Sequence, residues 1–252
     1  MKIQVLVAAI DQKDHSLLEQ LNIQSDVIVG NQSDFNSVED FDYKGFKAKY
    51  LNFKERGVGL NRNNSLMRAT GDICLFADDD MRYVDKYPTI VEKAFSDNPK
   101  ADVIVFNIKE KNTSNVNSKN KRIRNFEYLR YATPRIAIKL KSIKAKGIYF
   151  NECFGGGTEY SFGEDNLFLA SCLKNNLKIY SSTEYIAEFL YTRESTWFKG
   201  CNDKYLKDKG VLYKTISPRF WKVYCILDSF RHYKDYDRSI VESYYKMTKN
   251  KQ

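Results

Sequence analysis

Residues Ile3 to Ala9 form a run in which Gln4 is the single polar side chain, and fully apolar runs recur at Ile73 to Ala77 and Val103 to Phe106. Runs of this kind suit strands buried on both faces, as in a parallel sheet covered by helices. Segments of helical character lie between them, at Ser16 to Leu21, Leu60 to Ala69 and Pro88 to Phe95. Asp26 to Val29 adds a strand that ends at Gly30-Asn31. After a polar, acidic loop, Ala48 to Phe53 adds a weaker one. Strand alternating with helix predicts an open, mostly parallel α/β sheet. Arg56-Gly57-Val58-Gly59 is read as a glycine-rich turn opening the Leu60 helix, and Gly71 as its left-handed stop.

The remainder is less regular. Lys109 to Arg124 is rich in Asn, Ser and Lys and without periodicity, which predicts a mobile loop. Ile136 to Ile138 reads as a strand, Lys141 to Lys146 as a short basic helix, and Glu164 to Asn175 as a helix with an acid pair in its first turn. The last third is helical and basic. The 252 residues therefore divide into an α/β domain over 1–200 and a helical extension over 201–252. The first domain has one half at 1–107 and a second at 125–200.

Charge narrows the partners only loosely. An excess of 41 Lys and Arg over 32 Asp and Glu gives +9, compatible with nucleic acid, an anionic membrane, a nucleotide diphosphate or mere compositional drift. No nucleic-acid module is visible, so none is expected as a partner. Five cysteines without CxxC spacing argue against a disulfide framework or zinc knuckle and for a reducing compartment. No apolar stretch approaches the roughly 18 residues of a membrane span. Val5 to Ile10 is better read as a strand than as an export signal, and the expected location is cytoplasmic.

Ile73 to Ala77 runs straight into Asp78-Asp79-Asp80. Adjacent carboxylates repel one another unless something neutralises them. Mn²⁺ or Mg²⁺ does so with hard-oxygen ligands, and Mg²⁺ typically keeps only one or two protein carboxylates, leaving room for phosphate. A solvated acidic turn is the plain alternative. A phosphatase of the haloacid dehalogenase type is another, although its motif normally follows the first strand. Glu164-Asp165 could supply a base for an acceptor hydroxyl, or could merely favour its helix's N-terminus. Gly155-Gly156-Gly157 nearby would let a sugar approach the backbone.

Taken in order, Arg56-Gly57-Val58-Gly59-Leu60-Asn61-Arg62-Asn63, then Ala69-Thr70-Gly71-Asp72 through Asp80, then Phe154-Gly155-Gly156-Gly157 ahead of Gly163-Glu164-Asp165, the chain resembles family 2 glycosyltransferases with the GT-A fold. The likeness spans about residues 1–200 and implies a Rossmann-like open mixed sheet flanked by helices. It also implies inverting transfer from a nucleotide sugar, usually a UDP-sugar, with Mn²⁺ or Mg²⁺, onto a glycan or lipid-linked acceptor in bacterial surface polysaccharide synthesis. By that resemblance Asp80 would bind the metal, and Asp78 or Asp79 the ribose or donor sugar. Asp165 would be the base and Glu164 would hold acceptor hydroxyls. Ala9, Asp11 and Asn31 would flank the base of the nucleotide, and Arg62 would face it. On the acceptor side Gly156 and Gly157 would admit the sugar, and Trp197 could stack on it or simply be a core aromatic. Relatives often complete the metal site with a later His; this chain has only His15 and His232, leaving Glu194 or water for that place. A nucleotide-sugar binder without turnover is the non-enzymatic alternative.

Basic and aromatic residues interleave between Arg219 and Arg238, among them Phe220, Trp221, Lys222, Phe230 and Arg231. Such a region could lie on an anionic membrane at the inner face of the plasma membrane, or pack on the catalytic domain.

Overall fold

The computed structural model describes residues 1–111, 116–190, 198 and 200–249. The apolar runs become β1 (Ile3–Ile10), β2 (Asp26–Gln32), β4 (Phe46–Phe53), β5 (Ile73–Asp78), β7 (Val103–Lys109) and β9 (Ile136–Lys139). Four further strands complete the sheet: β3 (Ser37–Tyr43), β6 (Met81–Tyr83), β8 (Lys121–Ile123) and β10 (Ile179–Phe189). Their order is β3-β4-β2-β1-β5-β9-β7-β10-β6, with β8 also on β10. β1, β2, β4 and β5 are mutually parallel, so their carboxyl ends share one rim. β9 runs antiparallel between β5 and β7, which makes the sheet mixed.

Helices α1 (Leu17–Gln20), α2 (Val58–Arg68), α3 (Tyr87–Asp97), α4 (Leu140–Ala145) and α5 (Glu164–Lys174) flank the sheet. Apolar side chains on its two faces form two clusters. One gathers β1, β2 and β5 residues with α1 and α3. The other joins Phe76, Phe150 and Phe168 to the C-terminal residues Leu206, Leu212 and Met247. Those last residues belong to α6 (Asp203–Ile216) and α8 (Ile240–Thr248), which with α7 (Trp221–Tyr236) form a helical group. The helical extension therefore shares a core with one face of the sheet.

Three local expectations change. The acidic loop contains β3, an edge strand that pairs β4 through Lys44-Gly45, where both residues have positive φ, 49° and 86°. That backbone suits the right-handed twist of a two-residue hairpin. Gly71 is not left-handed: α2 ends at Arg68, and Ala69 is extended. Gly71 is needed for space instead, since a Cβ there would sit 2.8 Å from that of Gln4. Within the supposed mobile loop, Asn117 is buried and Lys121–Ile123 pairs with β10. Asn117 takes a 2.7 Å bond from the Tyr131 hydroxyl and donates to the carbonyls of Val105 and Ser182.

Candidate active site

The rim formed by β1, β2 and β5 carries most of the residues singled out from sequence. Ala8 of β1 lies beside Asp78 of β5, and Ala9 beside Asn31 of β2. Asp11 closes β1 in a left-handed conformation, φ 52°, with its amide bonded to Gln32 O at 2.9 Å. Asn31 is fully buried. It donates to Gln12 O at 3.0 Å and Asn52 Oδ1 at 2.7 Å, and accepts from the Gln12 amide at 3.0 Å. Ala9 is buried in the sheet core, so it shapes the rim through its backbone.

The three aspartates part company at the strand end. Asp78 accepts from Arg62 Nη2 at 2.6 Å. Asp79 turns toward β1, where its carboxylate accepts from the Ile10 amide at 3.3 Å and Gln12 Nε2 at 3.5 Å. Asp80 is partly buried and its carbonyl accepts from the Leu190 amide at 2.8 Å.

Arg62 is the centre of the arrangement. It sits in α2 and is buried, not on the surface as a helix arginine could equally have been. Its other terminal nitrogen, Nη1, donates to Glu164 Oε1 at 2.7 Å. The guanidinium lies over the Phe150 ring, 5.5 Å from its centroid, a contact that favours the planar cation. Phe150 is fixed in turn by stacking on Phe168 at 4.4 Å and by Asn63, which bonds both its amide and its carbonyl.

Glu164 and Asp165 open α5 behind Gly163, whose φ is 107°. Asp165 keeps partial exposure, and its carboxyl is pushed up to about 8. The largest cause is its low-dielectric surroundings, followed by the neighbouring charge of Glu164. Arg62 opposes this, but it is already shared between two other carboxylates. Gly155 has φ 103°, and a Cβ on it would lie 2.4 Å from Val58 Cγ1 and 2.8 Å from the Glu164 carboxylate. Glycine alone lets this loop close on both. Gly156 accepts from the Val58 amide at 3.0 Å, joining the acceptor-side loop to the start of α2, and Gly157 lies against Gly57.

Glu194 and Trp197 lie outside the described residues. Sequence reasoning missed Gln12, which bridges Asn31 and Asp79, and Asp208 of α6, whose carboxylate accepts from the Ser161 amide at 3.0 Å. Gln12 had only its place after a strand to mark it. Asp208 had no signal, because a polar residue on a helix ordinarily faces water.

Residues 10–155 match the family described as glycosyl transferase family 2. The chain belongs to that family. No curated protein matches the sequence. Among solved structures, S. aureus TarS 1-349 in complex with UDP-GlcNAc aligns with TM-score 0.66 at 15% identity, covering 99% of this chain and 76% of that one. TarS 1-349 in complex with UDP aligns with TM-score 0.63 at 16% identity, over 100% and 93%. A longer TarS structure aligns with TM-score 0.62 at 16% identity, and 98% of this chain spans 55% of it. These similarities establish the GT-A fold. Family membership makes the chain a glycosyltransferase and sets the phosphatase alternative aside.

Proposed function

We propose that this glycosyltransferase moves a sugar from a nucleotide donor, a UDP-sugar, to a hydroxyl of a glycan or lipid-linked acceptor in cell-surface polysaccharide synthesis, inverting the anomeric centre. The observation that carries the reading is the Arg62 bridge between Asp78, at the end of β5, and Glu164, beside Asp165. One cation holds the strand-end aspartate and the acid pair in register. A sugar bound at the first would thus present its anomeric carbon to an acceptor at the second. The UDP-GlcNAc and UDP complexes of the structurally similar TarS support UDP as the carrier. Residues 1–200 are the proposed catalytic unit and 201–252 its helical extension, acting in the cytoplasm.

On this reading Ala9, Asp11 and Asn31 form the nucleobase side, with Asp78 and Asp79 toward ribose and sugar. Asp165 takes the proton from the acceptor hydroxyl as the new glycosidic bond forms and the nucleotide leaves. Its raised proton affinity suits a base working near neutral pH. Glu164, anchored by Arg62, orients acceptor hydroxyls, and Gly156 and Gly157 leave room for the sugar against the backbone. Trp197 is proposed to stack on the acceptor.

The oxygen donors at the end of β5 suit Mn²⁺ or Mg²⁺. Among the described residues no group of three or more His, Cys, Asp or Glu stands ready to hold a metal. The protein would thus contribute few ligands, Asp80 foremost and Glu194 as a candidate, with diphosphate oxygens filling the rest. Bound there, the ion would act as a Lewis acid toward the departing diphosphate.

The test is UDP release and acceptor glycosylation measured over a panel of UDP-, GDP- and TDP-sugars with and without Mn²⁺. Donor binding with no UDP release across varied acceptors would replace the proposal with a binder lacking turnover.

A further inference from the structure

Among the described residues, helix α7 packs on the protein by one side only. Cys225, Asp228, Ser229 and Tyr236 face inward. There Asp228 accepts from Lys209 at 2.8 Å, from Tyr213 at 2.7 Å, and from Tyr236. The recurrence of Phe220, Val223, Leu227 and Phe230 marks the opposite, outward face. Phe230 is 69% exposed and Leu227 58%, and Phe220, Val223 and Ile226 are each at least half exposed. At about 100° per residue these five side chains fall in one arc of the helix.

Cations share that arc and its margins: Arg219 just ahead of α7, Lys222 in its first turn, Arg231 and Lys234 toward its end. No carboxylate of the helix lies within the arc: Asp228 is buried on the inner side, Asp235 lies off the arc, bonded to His232 at 2.8 Å, and Asp237 caps the C-terminal end. No helix among the described residues is long and apolar enough to cross a bilayer. The 16 residues of α7, about 24 Å long, are suited to lying flat on one.

We propose that the outward face of α7 rests on a bilayer surface rich in anionic lipid, its apolar side chains among the acyl chains and its cations at the headgroups. Charge selects this occupant. A second copy meeting the first about a two-fold axis would set the four cations against their counterparts, with acids only at the C-terminal end of the helix, Asp235 and Asp237. An anionic bilayer supplies both hydrocarbon for Phe230 and Leu227 and negative charge for the ring around them. The inference stands independently of the sugar-transfer reading.

Vesicle co-flotation tests it, comparing phosphatidylcholine alone with phosphatidylcholine mixed with phosphatidylglycerol. Wild-type protein is expected on the mixed vesicles only, with binding that weakens as salt rises. Lys222→Gln with Lys234→Gln should lower partitioning about fivefold per cation, or about 25-fold together. Leu227→Ser with Phe230→Ser should lower it ~10-fold or more. Because all four side chains point into solvent, the melting temperature and donor hydrolysis in solution should stay unchanged in both double variants. Absence of wild-type binding, equal binding to both vesicle types, or full binding by Leu227→Ser/Phe230→Ser would overturn the proposal. A concentration-dependent dimer that Leu227→Ser/Phe230→Ser dissolves, seen by sedimentation in place of vesicle binding, would overturn it in favour of self-association.

Discussion

Arg62 and Glu164 stand 102 residues apart in the chain and 2.7 Å apart in the fold. The contact joins α2, which belongs to the first half of the sheet, to the helix that opens the acid pair. Removing the cation strands the buried Glu164 carboxylate and leaves Asp78, whose side chain is 32% exposed, without its partner. Arg62→Met should therefore cost about 3–5 kcal/mol of stability, read by urea denaturation. Arg62→Lys keeps the charge but lacks the fork that reaches both partners. It should hold most of the stability yet lose at least ~10-fold in transfer rate. Wild-type turnover in Arg62→Lys would show that the bridge does not align the two sides.

Asp165→Asn should separate stability from activity. Transfer should fall by about 10²–10⁴-fold, while donor affinity by calorimetry changes little. Full transfer activity in this variant would end the assignment of Asp165 as base.

Two pH dependences follow from the same carboxyl. Its folded value is raised to about 8, above that of the unfolded chain. The stability it contributes is thus complete below the ordinary carboxylate range and is lost as pH rises toward the folded value. The melting temperature of Asp165→Asn should exceed that of wild type by a margin that grows between about pH 4 and pH 8 and then levels off. In wild type, kcat/KM should climb with pH and flatten near the same upper value. A flat profile from pH 6 to pH 9 would count against the base assignment.

Asp208 offers a positioning test. Its carboxylate accepts from the Ser161 amide and hydroxyl, each at 3.0 Å, and from Lys204 at 2.6 Å. Ser161 lies just ahead of Gly163 and the acid pair. Asp208→Ala should reduce kcat with little change in donor affinity, and Asp208→Asn should recover part of the loss. Equal effects on kcat and on donor binding would indicate a general loss of structure instead.

Gly210 tests the helical group. A Cβ there would come within 1.9 Å of the Met247 carbonyl, so α6 and α8 touch backbone to backbone. Gly210→Ala should cost about 3 kcal/mol, or roughly 6–12 °C in Tm, by differential scanning calorimetry.

Much of the fold was legible because strands buried on both faces leave unbroken apolar runs, as at Ile73 to Ala77. What stayed hidden has a physical cause in each case. Ser37–Tyr43 is an edge strand with polar and acidic residues, and only Lys44-Gly45 betrays its hairpin. β10 changes register between Ser181 and Tyr185 and again before Ala187, which breaks the period a sequence could display. Asn117 is polar yet buried because it replaces missing strand partners for neighbouring carbonyls. At the candidate site both carboxylate ends were visible as motifs. Their common partner Arg62 was picked out by the family resemblance as facing the nucleotide, but its bridging role was not legible, since a helical arginine looks the same whether it faces water or two acids 102 residues apart.

The edge strand β3 has one more implication. Its pairs with β4 set Asp40 against Lys49 and Asp42 against Lys47, so the open side of the sheet is lined with charge. At the far end β10 is bordered by β6 and β8, of three residues each. Among the described residues, neither border offers the long, flat, apolar row of unsatisfied amides on which strands from other molecules add and fibres grow. A sheet of this width can thus persist at high concentration without recruiting its neighbours.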